Sequence, residues 1–266
     1  MITTRLMKTS NIRGKLIYLP LICMILMHMP IVFAGTSARI HAAMVNFTSK
    51  NDTDTAVTEL QANNGAGTDA VEAEYESMRL NEMGLSKTAF NYAMKGFNYL
   101  VQTGKLAKDN IISIVDFSKP SSQKRLFVID LSYLKVLYNT YVAHGVNSGK
   151  EYANQFSNTP ESNKSSLGFY ETKNTYQGGN GYSLRLAGLE QGINDNAERR
   201  DIVIHGAEYV DESLIRSQGY IGRSWGCPAL PEKLHKPIID KIKNGTCLFI
   251  YSTDNTYLKK SKIINA

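Results

Sequence analysis

Among 266 residues there are only three cysteines and one tryptophan. Three thiols are too few for a disulfide framework, and the chain is long enough to bury a core without one. It has no Walker loop, no dinucleotide fingerprint, no H-E-x-x-H and no paired C-x-x-C. No metal and no cofactor are therefore expected. A basic run is missing too. Of the formal charge of +6, four cations (Arg5, Lys8, Arg13 and Lys15) fall before residue 35, where no acidic residue occurs, and the remaining body carries only +2. A nearly neutral body offers no electrostatic footprint for nucleic acid. No internal repeat is present.

What the chain does have begins with a leader. Residues 1–34 join a basic start to the apolar run Leu16 to Ala34, and Val32-Phe33-Ala34 offers a small-residue cleavage site. This is the pattern of a secretory signal peptide. The run is also about long enough to span a bilayer, so an uncleaved anchor competes with it and would be the only membrane contact. Either way the body is expected outside the cytoplasm, in the periplasm or cell envelope. Residues 35–82 follow as a flexible tether, because the stretch from Gly35 to about Glu74 is rich in small and polar residues and has few large apolar ones. The domain proper is expected over 83–266.

Ser86 is a plausible N-cap, and Ala89, Phe90, Ala93, Met94, Phe97, Leu100 and Val101 recur at helical spacing up to Gly104, predicting one amphipathic helix. After it the period changes. Ile111 to Phe117, Arg125 to Leu131, Leu134 to Ala143, Leu167 to Thr172, Tyr182 to Leu186, Asp201 to His205 and Cys247 to Ser252 are short β-branched or aromatic runs. Turn clusters such as Gln177 to Gly181 separate many of them. The pattern predicts a mainly β, α+β domain with a sandwich or barrel rather than βαβ units. Pro237 is expected to open a short C-terminal helix carrying Ile238, Ile239 and Ile242, stopped by Asn244-Gly245.

Two stretches concentrate the chemistry, Arg200 to Gly206 and Gly222 to Pro231. A cysteine attacks only as thiolate and needs a base or a positive field to become one. His205, at the end of an apolar run and followed by Gly206, is the candidate base. Cys227, between Gly226 and Pro228, is the candidate nucleophile, and successive N–H groups of Gly226 and Cys227 suit an oxyanion. With Cys23 in the leader, the mature chain keeps Cys227 and Cys247. These two could instead pair as a structural disulfide, although Cys247 opens an apolar run and has the setting of a small buried hydrophobe.

His205-Gly206 and Ser224-Trp225-Gly226-Cys227 resemble the His-Gly and Ser/Thr-His-Gly-Cys motifs of the YkuD-type L,D-transpeptidases. The chain is similar over most of residues 83 to 252 to the divergent branch described as the murein L,D-transpeptidase catalytic domain. Asp116 to Pro120, Val142 to Gly145, Ser165 to Gly168, Ile204 to Ala207 and Gly222 to Pro228 carry that likeness. The resemblance implies a β-sandwich with peripheral helices. It also implies Cys227 as nucleophile, His205 as base and Ser224 as a hydrogen-bonding partner within the turn. Peptidoglycan stem peptides are then the partners, one as donor and one as acceptor. Attack on the bond between the diamino acid at position three and the terminal D-alanine gives a 3–3 cross-link, or a trimmed tripeptide if water resolves the thioester. A third reading is a non-catalytic envelope-binding protein with the Cys227–Cys247 disulfide.

Two positions depart from the family pattern. Trp225 stands where the motif has His, and Ala229 where it has Arg. His144 is a candidate replacement for the missing imidazole, with an ordinary strand-end histidine as the alternative. Arg223 is a candidate for a substrate carboxylate, with a solvated arginine as the alternative. Gly206 allows close backbone approach, Trp225 is expected to wall the pocket, and Tyr170, with Tyr176 and Tyr182, is expected either in a substrate groove or in the core.

Overall fold

The computed structural model describes residues 69–266. The leader, its cleavage site and the first part of the expected tether lie outside these residues. Among the described residues no helix is long and apolar enough to cross a membrane.

Ordered structure starts earlier than the expected domain boundary at residue 83. Residues 69–77 form a helix, α1, and Tyr75, Met78, Leu80 and Leu85 are all buried. The Tyr75 hydroxyl donates to the Leu85 carbonyl at 2.6 Å, and its ring lies 5.6 Å from that of Phe90. A few apolar residues in a polar stretch thus suffice to dock it, because their partners sit on the next helix. That helix, α2 (Lys87–Gln102), begins where expected: Ser86 Oγ accepts the Ala89 N–H, satisfying one of the helix's orphan donors. Its buried stripe, Ala89, Phe90, Ala93, Met94, Gly96, Phe97 and Leu100, packs on the sheet.

The sheet has eight strands: β1 (Ile111–Asp116), β2 (Leu126–Asp130), β3 (Lys135–Thr140), β4 (Gly168–Gly178), β5 (Gly181–Gly188), β6 (Val203–Ala207), β7 (Ala229–Pro231) and β8 (Cys247–Tyr251). Their order is β3-β2-β1-β8-β4-β5-β6-β7. Pairing is antiparallel except for β1–β8 and β6–β7. Beyond β3 the chain makes two isolated bridges, Ala143 to Ala229 and Gly145 to Ser224, which bring one end of the sheet beside the other. The mainly β, α+β class expected from the pattern is therefore realised as one nearly closed, barrel-like sheet with helices around it. Phe169 and Phe249, stacked at 4.2 Å between centroids, sit in its core.

Gly96 shows how closely α2 is seated. A Cβ there would lie 2.0 Å from Phe169 Cζ, and the fully buried, stacked ring has no free volume to move into. Gly96→Ala would gain about 1 kcal/mol of helix propensity and lose about 3 kcal/mol to overpacking. The expected result is a net loss of about 2 kcal/mol in urea denaturation. An unchanged midpoint would show that the ring yields.

Two local expectations are corrected. Pro237 does not open the last long helix. α4 (Glu232–Ile242) starts directly out of β7 with Pro231 as N-cap, and Pro237 lies inside it. Buried Ile238, Ile239 and Ile242 hold this helix against the sheet despite the proline. Its stop is as expected, since Asn244 (φ 64°) and Gly245 (φ 97°) both take left-handed conformations. The strand expected over Asp201 to His205 starts two residues later, because Asp201 is itself left-handed at φ 53°. His205 is thus inside β6 rather than at its end. Two short helices, α3 (Glu212–Gln218) and α5 (Asn255–Lys260), complete the domain.

Candidate active site

The parallel pairing of β6 and β7 sets the site. His205 is level with Ala229, and Gly206 with Leu230. Two residues back along each strand, Cys227 falls beside Val203, whose N–H meets Cys227 Sγ at 3.5 Å. The thiol in turn donates to the Asp201 carbonyl at 3.5 Å. Cys227, His205, Gly206, Ser224, Arg223 and Trp225 all line one cleft of about 740 Å³.

The turn that carries Cys227 is tied by its own Ser224 and by Ser165, His144 and Val146 from outside it. Ser224 Oγ donates to the Cys227 carbonyl at 2.6 Å and accepts the Gly226 N–H at 3.0 Å, so Ser224 ties the turn. Ser165 Oγ donates to the Gly226 carbonyl, the Ser224 N–H to the His144 carbonyl, and the Val146 N–H to the Ser224 carbonyl at 2.7 Å. Gly226 has φ 124°, and a Cβ there would lie 2.8 Å from the Lys164 carbonyl oxygen. Glycine is required at this position on both counts. Because the Gly226 N–H is engaged by Ser224, the two-donor oxyanion hole expected of Gly226 and Cys227 is not laid out here. The Cys227 N–H has no acceptor among the described residues and remains available.

His205 is only 5 % exposed. Its Nδ1 lies 2.8 Å from the Gly206 carbonyl oxygen. A carbonyl only accepts, so Nδ1 carries the proton and Nε2 holds the free lone pair. Burial lowers the imidazole's pKa below its ordinary value, while the Gly206 carbonyl and Glu232 oppose that shift. A neutral ring with a free Nε2 is the state a general base needs. For Cys227, burial pushes the thiol up, whereas the Val203 N–H and the Arg200 charge pull it down. Gly206 serves packing rather than a turn, since a Cβ there would meet His235 Nδ1 at 2.5 Å and Glu232 Oε2 at 2.6 Å.

Two candidates are not in the cleft. His144 is fully buried. Its Nδ1 lies 2.8 Å from Arg125 Nη2, and its Nε2 lies 3.2 Å from the Gly149 carbonyl. Burial and the Arg125 charge push its pKa down to about 3. It is a neutral strut that joins the buried Arg125 to the loop behind Cys227, and it stays out of the cleft lining. Tyr170 is likewise fully buried, its hydroxyl donating to Ser166, so it is a core residue and not part of a groove. Tyr182 donates to Asp240, and Tyr176 lies under Arg185, both away from the cleft lining. The Cys227–Cys247 disulfide is not formed. Both thiols are free, and Cys247 is fully buried on β8, with β4 and β5 between it and β6.

The departures from the motif acquire physical reasons. Ala229 is fully buried, paired to His205 on one side and Ala143 on the other, where an arginine side chain has no room. Trp225 is 81 % exposed, so it forms the rim of the cleft rather than a wall. Arg223 Nη1 donates to the Val146 and Gly149 carbonyls, which fixes its guanidinium at the cleft. Several lining residues were not singled out from sequence, two of them titratable and close to Cys227. One is Tyr209, whose pKa burial pushes up to about 12. The other is Arg200, which stood at the edge of the recognised stretch.

A family model described as L,D-transpeptidase catalytic domain matches residues 81–251. Among solved structures, an L,D-transpeptidase from Mycobacterium smegmatis is 13 % identical, with 54 % of this chain and 59 % of that one covered, at a TM-score of 0.33. An L,D-transpeptidase from Xylanimonas cellulosilytica is also 13 % identical, with 53 % and 60 % covered, at 0.30. A Bdellovibrio bacteriovorus protein is 14 % identical, with 60 % and 55 % covered, at 0.35. The match thus spans less than two thirds of the length of these chains. No curated protein matches the chain.

Proposed function

The chain belongs to the L,D-transpeptidase catalytic domain family, and from that premise we propose that it is an exported cysteine acyltransferase acting on peptidoglycan stem peptides. The observation that carries this reading is the convergence on one cleft of His205, in β6, and Cys227, in the turn that leads into the parallel strand β7. The leader pattern of residues 1–34 supports delivery to the envelope, where that substrate lies.

In the proposed reaction His205 Nε2 takes the Cys227 thiol proton as Sγ attacks the carbonyl between the diamino acid at position three and the D-alanine at position four. The Cys227 N–H stabilises the resulting oxyanion. Collapse breaks the C–N bond, and His205 returns the proton to the leaving amine, releasing D-alanine and leaving a thioester. The side-chain amine of a second stem then attacks the thioester and gives its proton to His205. The thiol is expelled, leaving a 3–3 cross-link. Arg223, held by two loop carbonyls, keeps N–H groups for the carboxylate of the departing D-alanine.

The same acyl-enzyme yields an L,D-carboxypeptidase if water arrives before the amine. The test is incubation of the protein with tetrapeptide muropeptides and mass analysis of the products. The expected result is a cross-linked dimer with one D-alanine released per bond formed. Tripeptide without dimer would replace the transferase reading by the carboxypeptidase, and no product at all would overturn both.

A further inference from the structure

Arg200 ends the segment that turns through left-handed Asp201 into β6, and it lines the same cleft as Cys227 and His205. Its guanidinium is fixed by four acceptors. Nη1 donates to the Ser157 carbonyl at 2.7 Å and to Ser166 Oγ at 3.2 Å. Nη2 donates to the Lys164 carbonyl at 2.6 Å and to Ser162 Oγ at 3.2 Å. All four are neutral. Its Nε–H is buried and has no acceptor among the described residues, and none of the ion pairs among those residues includes it. The charge of Arg200 is therefore not cancelled locally.

That charge lies against the nucleophile's turn. A Cβ on Gly226 would come 3.5 Å from Arg200 Nη2 and 2.8 Å from the Lys164 carbonyl that Arg200 holds, so Gly226 lets the turn rest directly on the Arg200 clamp. The resting thiol contacts Val203 and Asp201 rather than a cation, and the neighbouring imidazole is held neutral by its surroundings. Of the other charged groups lining the cleft, Asp201, Glu161 and Glu208 are acidic, while Arg223 is bound to the Val146 and Gly149 carbonyls.

We infer that Arg200 is a positioning residue for the thiolate: a permanently charged guanidinium, neutralised by no carboxylate, that offsets the cost of forming S⁻ on the half-buried Cys227 and seats its turn. The inference rests on Cys227 being the nucleophile. An opposite charge close by favours the ionised form, and the direction of the Arg200 effect on the thiol is downward. A clamp alone would require only the hydrogen bonds and would be indifferent to the uncancelled charge.

The experiment is the pH dependence of Cys227 alkylation by iodoacetamide in the full chain, read on the Cys227 peptide by mass spectrometry so that the other cysteines do not contribute. Arg200→Gln is expected to raise the midpoint by about one pH unit, which is about tenfold less thiolate at a fixed pH below it. Arg200→Lys keeps the charge and is expected to stay within about a third of a unit of wild type. Ser162→Ala removes one bond of the clamp without touching the charge and should leave the midpoint in place. An unmoved midpoint in Arg200→Gln, or a Lys variant displaced by a full unit, overturns the inference, and the Lys and Ser162 variants decide it if the Gln variant does not fold. A wild-type Cys227 that never alkylates would instead remove the nucleophile, and with it the proposed function.

Discussion

Cys227→Ala is expected to lower D-alanine release and dimer formation by at least about a thousandfold, since the cleft lining holds no other thiol. Cys247, the other cysteine among the described residues, is fully buried on β8, and burial pushes its thiol far up; it cannot substitute. The fold should barely notice the change. Cys227 Sγ makes two long contacts of 3.5 Å, while the turn itself is held by Ser224, Ser165 and backbone bonds that alanine leaves intact. The expected loss of stability is below about 1 kcal/mol, read as a nearly unchanged melting temperature. The two readouts together separate chemistry from structure. Inactivity with a wild-type melt identifies the nucleophile, inactivity with a collapsed melt says only that the turn was broken, and persistent dimer formation would eliminate Cys227 from the reaction.

What could be read in the sequence was local. The Ser86 cap and the Phe90–Phe97 stripe are legible because N-capping and helical periodicity involve residues a few positions apart. The Gln177 to Gly181 turn is legible for the same reason, and it does join β4 to β5. The His205 and Cys227 stretches carry their chemistry in contiguous motifs, and the sheet only had to lay them side by side. The rest depends on partners distant in the chain. The stretch from Tyr75 to Leu80 looks like tether until Phe90 and Leu85 are seen to receive it. His144 and Tyr170 have the right chemistry for a site, and only the closure of the sheet shows that both are buried. Ala229 seems a lost arginine until Ala143 is found packed against it. Arg200 was next to the motif, but its acceptors come from residues 157–166, and no local pattern announces a cation that has no carboxylate partner among the described residues.

His205→Ala is the second change with a large expected effect, and here the pH profile is more informative than the rate. A positioned general base contributes about a hundredfold to ten-thousandfold, so a loss of that size is expected at neutral pH. In the wild-type protein the ring is competent when Nε2 is unprotonated. Burial lowers the pKa of His205, so the fall of kcat/KM on the acid side should lie below the ordinary imidazole range, with activity retained above it. Removing the ring removes that acid limb. What remains is attack by thiolate formed without help, and burial places the Cys227 pKa above its usual value. The variant's rate should therefore climb about tenfold per pH unit through neutrality and level only once the thiol has ionised. At high pH the gap to wild type should narrow as the thiol ionises unaided but not close, because no imidazolium is present to protonate the departing D-alanine amine as the thioester forms. A His205→Ala profile parallel to wild type and merely scaled down would show that the ring shapes the cleft without moving a proton. Wild-type activity at neutral pH would remove His205 from the mechanism.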